Sequence, residues 1–155
     1  MNRGVSFRIP QVVGDVLWQI LKCINVENYC WYNLISQNEA WSYENNSKGN
    51  AFFLESDYYD GKSFWQNIHT KYYIIFLKLQ AYFENGVFFD IHTYADFLRS
   101  DCQLLLLIYD CEYVEIYAKS EKTIKAIFEN AIANNYVEIK YITESNDGRT
   151  GMDVL

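Results

Sequence analysis

Residues 102–117 read CQLLLLIYDCEYVEIY, and how this stretch divides decides the fold. Its apolar run falls far short of the roughly 20 residues that cross a bilayer. Leu104–Tyr109 and Tyr113–Lys119 have the length and the aromatic and branched content of two antiparallel strands, joined at Asp110-Cys111. Leu104–Ile108 is apolar at every position, so this strand is expected to be covered on both faces. Cys102 and Cys111 then stand roughly 30 Å apart on an extended chain at ~3.3 Å per residue. A disulfide needs Cα atoms within about 7 Å. The two cysteines therefore neither bridge nor share a metal, and Cys111 belongs at the tip of the hairpin.

Downstream, Ser120 can cap a helix with Glu121 in its first turn. Ile124, Ile127, Phe128, Ala131 and Ile132 repeat at the spacing of an amphipathic helix, and Asn134-Asn135 suits its C-terminal cap. Tyr136–Thr143 follows as a strand, which predicts a right-handed crossover joining parallel strands across 113–143. Upstream, Tyr72–Phe83 reads as a long strand. One of its faces, Tyr73, Ile75, Leu77, Leu79, Ala81 and Phe83, is apolar throughout. The other turns polar at Lys78 and Gln80. Thr93 with Asp96 forms a capping pattern, and Asp60 can cap a short helix carrying Phe64, Trp65 and Ile68.

Nearer the start, Val5, Phe7 and Ile9 alternate as a strand, and Pro10 is expected to open a helix with Val13, Val16, Leu17, Ile20, Leu21 and Ile24 on one stripe. Tyr29–Ile35, Glu39–Tyr43 and Ala51–Leu54 read as strands. ENNSKGN (44–50) reads as the best candidate for a mobile loop. Together these predict an α+β fold: a single mixed, mainly antiparallel β-sheet of about five to seven strands, with amphipathic helices packed mostly on one face. At 155 residues, one globular domain spanning 1–155 is expected.

The composition narrows the function classes. Half the residues are hydrophobic and 18 % aromatic, which excludes disorder for most of the chain. A formal charge of −7 argues against a nucleic-acid backbone or an anionic membrane surface as partner. It suits solubility or a basic protein partner. The start MNRGVSFRIP lacks an apolar signal region, so the expected location is the cytoplasm, with reduced cysteines.

The sequence contains none of the motifs H-E-x-x-H, G-x-S-x-G or G-x-G-x-x-G, nor paired C-x-x-C, and no catalytic residue, cofactor or metal is expected. Cys23 and Cys30 flank a loop and could approach, but one C-x6-C is weak evidence for zinc. His69 and His92 fall at expected element ends, where surface or capping roles suit them. The most distinctive surface lies between Glu39 and Asp60, where Glu39, Glu44, Glu55, Asp57 and Asp60 oppose only Lys48 and alternate with Trp41, Tyr43, Tyr58 and Tyr59. Such a face fits a basic partner, while the alternative is a solvated loop whose aromatics pack inward. Asn146-Asp147-Gly148 is a turn signal, and Gly148-Arg149-Thr150-Gly151 can offer amides and a guanidinium to an anion. The blander reading there is a last hairpin that returns Met152 and Val154 to the sheet.

The leading expectation is thus a non-catalytic binding protein, of the inhibitor or immunity type, using Trp41, Tyr43, Glu44, Asp57, Tyr58 and Tyr59. A small enzyme or ligand binder at Asp147 and Arg149 is the alternative, and a structural, oligomer-forming role is the third. Across the chain, NRGVSFRIP, YCWY, YYIIFLKLQAY and SNDGRTG together resemble a small uncharacterised bacterial family known as a domain of unknown function. The resemblance spans nearly the whole chain and implies no activity, cofactor or catalytic residue.

Overall fold

The computed structural model describes residues 1–53 and 56–155. Among these it holds nine strands and four helices in an open α+β arrangement, more strands than the five to seven expected. In chain order they are β1 (Asn2–Arg8), α1 (Val16–Leu21), β2 (Cys30–Asn33), β3 (Glu39–Glu44), β4 (Ser47–Ala51), β5 (Tyr58–Tyr59), α2 (Gly61–Ile68), β6 (Tyr72–Tyr82), α3 (Tyr94–Arg99), β7 (Cys102–Tyr109), β8 (Tyr113–Ala118), α4 (Glu121–Ala133) and β9 (Val137–Thr143). The main path across the sheet runs β4-β3-β6-β7-β8-β1-β9, and β2 pairs with both β6 and β5.

The opening stretch forms the expected hairpin. Leu104 faces Ala118 and Tyr109 faces Tyr113, with Cys111 in the turn. Leu104, Leu106 and Ile108 join the main core, while Leu105 and Leu107 join a second core on the opposite face. The crossover needs correction. β8 and β9 do run parallel, but β1 lies between them and pairs antiparallel with each. Every pairing among the described residues is therefore antiparallel, and the sheet is not mixed.

The main core lies under α1, α2 and α4, which supply Leu17, Ile20, Leu21, Phe64, Ile68, Ile124, Ile127 and Ala131. Trp31 anchors it, stacked on Phe64 with ring centroids 4.1 Å apart and donating its indole N–H to the Val26 carbonyl at 3.0 Å. The caps read from sequence are in place. Asp60 accepts from the Ser63 amide, Ser120 from the Thr123 amide, and Thr93 with Asp96 forms a complete capping box. Pro10 does not open a helix. α1 begins only at Val16, Val12 and Val13 are exposed, and Gly14 forms an isolated bridge to Tyr72.

Two further expectations change. The 44–50 stretch is the turn and second strand of a hairpin, β3–β4. Asn45 and Asn46 take φ of 50° and 62°, the left-handed pair that tight hairpin turns require. Ala51 closes β4 and Phe52 lies beyond it; Leu54, the end of the strand expected there, is outside the described residues, as is Glu55. Strand β6 also switches phase. Tyr72 and Ile74 face the main core, and so do Leu77, Leu79 and Ala81, so inward residues shift by one near Ile75–Phe76. The cause is a change of partner on one edge: β6 pairs with β3 up to Phe76, with a register shift there, and with β2 from Leu79 onward. Phe83, expected inside, is exposed.

The opposite face of the sheet carries Lys78, Gln80 and Tyr82 from β6, all fully buried. The segment 83–92, here the strap, crosses above them. Gln80 donates to the Phe89 carbonyl at 2.8 Å and accepts from the Ile91 amide at 3.1 Å. The Tyr82 hydroxyl donates to the Phe89 carbonyl and accepts from the Phe89 amide. The tail after Thr143 forms no strand, so the expected last hairpin is absent, yet Met152 is buried in the second core and its amide donates to the His92 carbonyl at 3.0 Å.

Candidate functional site

The structure divides the residues singled out from sequence between three places. Asp57, Tyr58 and Tyr59 lie at the sheet edge beside β2, where Tyr32 pairs with Tyr58 and Trp31 with Tyr59. They are held there by Asn33, whose amide donates to the Asp57 carbonyl at 2.9 Å and whose side chain donates to the Phe53 carbonyl at 2.6 Å. Tyr58 is exposed and its hydroxyl donates to the Cys30 thiol at 3.4 Å. That contact, with lesser help from burial, pushes the phenol up to about 12.

Trp41, Tyr43 and Glu44 lie on the β3–β4 hairpin. Trp41 is half-buried beneath the Lys48 ammonium, 3.5 Å from its ring centre. Tyr43, Glu44 and Tyr59 line an open cleft of about 480 Å³ between this hairpin and α2. The aromatics of 39–60 thus neither all face solvent nor all pack inward.

Asp147 and Arg149 act as latches for the tail. Asp147 accepts from Arg3 and from the Tyr117 hydroxyl, each at 3.1 Å. Arg149 donates from Nε to Glu115 at 2.8 Å and from Nη1 to the Gly151 carbonyl at 3.0 Å. The Arg149 amide itself donates to Asp147. Its charge and its amide are already engaged within the fold.

Sequence reasoning missed the strap. Val87 (72 % exposed), Phe89 (51 %) and Phe88 (37 %) form an apolar run on the surface. Phe88 stacks on Tyr32 at 4.5 Å, and Tyr32 meets Tyr58 edge-on at 5.2 Å, so the strap and the Asp57–Tyr58 edge form one surface. Leu98 of α3 and Phe83 extend the exposed apolar set. Segment 83–101 carries Glu84, Asp90, Asp96 and Asp101 against Arg99 alone. The available signal was the run V-F-F bounded by acids and preceded by the Asn85-Gly86 turn, lying outside every predicted element.

Beneath the strap, Lys78 donates to Asp90 at 3.1 Å, to Asp153 at 2.9 Å and to the Ile91 carbonyl at 2.5 Å. His92 lies between the same carboxylates, 3.4 Å from each. Asp90, His92 and Asp153 place their ligand atoms within 4.8 Å of one another, the donor set of a divalent metal. The Lys78 ammonium already pairs with both carboxylates from below, so the arrangement reads as a clasp joining sheet, strap and tail. His92 is exposed, the surface position expected from its place at an element end. His69 donates from Nδ1 to the Trp65 carbonyl at 2.6 Å and packs against Trp18 and Trp65. All four cysteines are free, and burial pushes the Cys102 thiol up to about 12 and Cys23 up to about 11, the wrong direction for a nucleophilic thiolate.

A family model described as "Protein of unknown function (DUF2691)" matches residues 2–153. The chain is also 36% identical over 155 residues to "Uncharacterized protein YncE" of Bacillus subtilis (strain 168), covering 99% of this chain and 100% of that one. No solved structure matches. No helix among the described residues is long and apolar enough to cross a membrane.

Proposed function

Since this chain belongs to the DUF2691 family, whose description assigns no activity, we propose its role from its own surfaces: a non-catalytic binding protein that takes a basic protein partner on an acidic, aromatic face. The supporting observation is the strap. Gln80 and Tyr82 bind the backbone of Phe89, and Lys78 and Gln80 bind that of Ile91, so the strap is fixed while Val87, Phe88 and Phe89 project at the surface. An ordered apolar run continuous with Tyr32 and Tyr58 and bordered by Asp57, Glu84 and Asp101 has the make-up of an interface core with a charged rim. Trp41, Tyr43 and Glu44 supply a secondary part of the same acidic character. The partner is a protein with basic groups around an apolar patch, and neither a nucleic acid nor a membrane surface suits this charge. The proposed setting is the cytoplasm, which agrees with four unpaired cysteines.

The test uses the whole chain as bait in its source cell, beside the V87D/F89D variant, whose altered side chains are exposed and spare the fold. A partner retained by the wild type and lost from the variant, with association slowed by added salt, is the expected result. Equal retention by both baits, or a partner whose association ignores salt, refutes the assignment of this face.

A further inference from the structure

A second concave site lies across β7, β8, β1 and β9, on the part of the strap-and-tail face that those two segments leave uncovered. It is an open groove of about 480 Å³, within the size range of small-ligand sites. Strand pairing sets its floor: Ser6 faces Glu115 on one side and Lys140 on the other, and Arg8 faces Tyr113, which in turn faces Tyr109.

Three observations mark the groove as built for an occupant. Ser6 Oγ and Arg8 Nε are shielded from bulk solvent yet meet no hydrogen-bond partner among the described residues, although buried polar atoms are nearly always satisfied. The β1–β9 ladder is broken here between Ser6 and Arg8, where Glu138 takes a left-handed φ of 55°, unusual for a non-glycine residue. Such bulges recur beside functional sites, where they re-aim side chains. Lys140 is exposed and makes no ion pair among the described residues.

The remaining charges are spoken for. Arg8 reaches Glu112 and Glu138 through its Nη atoms, and Glu115 holds Arg149. Tyr109 and Tyr113 stack on each other at 5.3 Å, and their outer faces are covered by Arg149 and Arg8. No ring face is free for a planar ligand to stack on. What is left is a cation, a hydroxyl and an N–H donor, with carboxylates and phenols at the margin. The exposed Arg8–Glu138 pair is weak and easily displaced, which opens that edge of the guanidinium.

We propose that this groove binds a compact, non-aromatic oxyanion, a carboxylate or phosphate whose body carries hydroxyl or amino donors. Lys140, the Ser6 hydroxyl and Arg8 Nε take the oxyanion, and Glu138 and Glu115 accept from the donors. No bond is made or broken.

The whole chain, labelled with ¹⁵N, is titrated with glycerol 3-phosphate and, separately, with glutamate, up to about 10 mM, the weak end of specific small-ligand binding. Saturable shifts at the amides of 6–8, 113–115 and 138–140 are expected with at least one probe, and which probe responds separates phosphate from carboxylate. Lys140→Glu should weaken that binding by about ten- to a hundredfold, the span of a charged hydrogen bond, and Ser6→Ala by less. Lys122→Glu, on the distant α4, should leave it unchanged. No saturable shift with either probe, shifts confined to other residues, or binding indifferent to Lys140→Glu overturns the proposal.

Discussion

Lys78→Met tests whether the buried ammonium clasps the strap and tail to the sheet. Methionine keeps an apolar stem of similar length, so the buried packing survives and the head group is what changes. Three hydrogen bonds to a charged donor are lost, to Asp90, Asp153 and the Ile91 carbonyl. Each such bond is worth about 1.5–3 kcal/mol when both ends are buried. Asp90 and Asp153 are 41% and 44% exposed and regain water, so their share shrinks toward the surface value of about 0–1 kcal/mol each. The Ile91 carbonyl, in a fully buried residue, is left an orphan at about 1–3 kcal/mol. Removing the ammonium also relieves its own desolvation cost, which holds the total down. The net expectation is a loss of about 2–4 kcal/mol. At about 2.1 cal/mol/K per residue over this length, Tm falls by about 6–12 °C.

Calorimetry measures that fall, and hydrogen exchange localises it. The Met152 amide, which donates to the His92 carbonyl, should exchange faster in the variant, while Trp31, in the main core, should not change first. The pH dependence gives an independent sign. Burial works to raise the Asp153 value, but the Lys78 ammonium and then His92 outweigh it and hold the carboxyl below the usual range. The unfolded chain therefore takes up this proton first as pH falls. Stability from the pair is complete above the ordinary aspartate value near 3.9 and is lost as pH drops through the lower folded value. Below about pH 4 the gap between wild type and variant should thus narrow by the Asp153 share, while the part owed to the Ile91 carbonyl remains. A Tm change under about 2 °C, with unchanged exchange at Met152, would refute the clasp.

Two other positions separate specific contacts from general packing. The buried Tyr72 hydroxyl accepts from the Leu17 amide at 2.9 Å and donates to the Ile68 carbonyl at 2.8 Å, joining α1 to the end of α2. Tyr72→Phe orphans both groups and should cost about 1–3 kcal/mol, seen as a lower urea midpoint at unchanged slope. Gly61 opens α2 against the Glu27 backbone, and a Cβ there would overlap the Glu27 carbonyl, whereas one at Gly14 would meet open space. Gly61→Ala should therefore lose about 1–3 kcal/mol or more in thermal melts, and Gly14→Ala should cost far less.

The parts of the fold legible in the sequence are those whose cause is local. Ser120, Thr93 and Asp60 cap helices through bonds to residues three positions on, and each is seen. Leu104–Ile108 declares burial on both faces because no polar residue interrupts it, and the two cores confirm that. The errors come from causes that lie elsewhere in the chain. β1 inserts between β8 and β9, which no pattern within 113–143 can announce. Ser47–Ala51 has little strand propensity and pairs because Asn45-Asn46 folds it back onto β3. The phase of β6 shifts because one edge serves two partners, β3 and then β2, so a single alternation could not describe it.

The candidate binding face was half legible for a related reason. From sequence, Lys78 and Gln80 mark a face of a central strand that is only partly covered, since polar residues in a strand usually mark exposure. They are buried because the strap's backbone needs partners, and a segment crossing a sheet outside the ladder must find them in side chains. Lys78, Gln80 and Tyr82 meet that need from below. Their bonds hold the strap's main chain to the sheet while Val87 and Phe89 remain exposed. The full burial of Lys78 and Gln80 and the missed apolar run of the strap are thus one physical fact. A buried Gln or Lys in a central strand, followed within a few residues by an unassigned apolar run, marks a segment held flat over a sheet. Asp57 and Tyr58 were legible because acids and aromatics alternate in sequence, whereas Phe88 joins them only through Tyr32, across elements far apart in the chain.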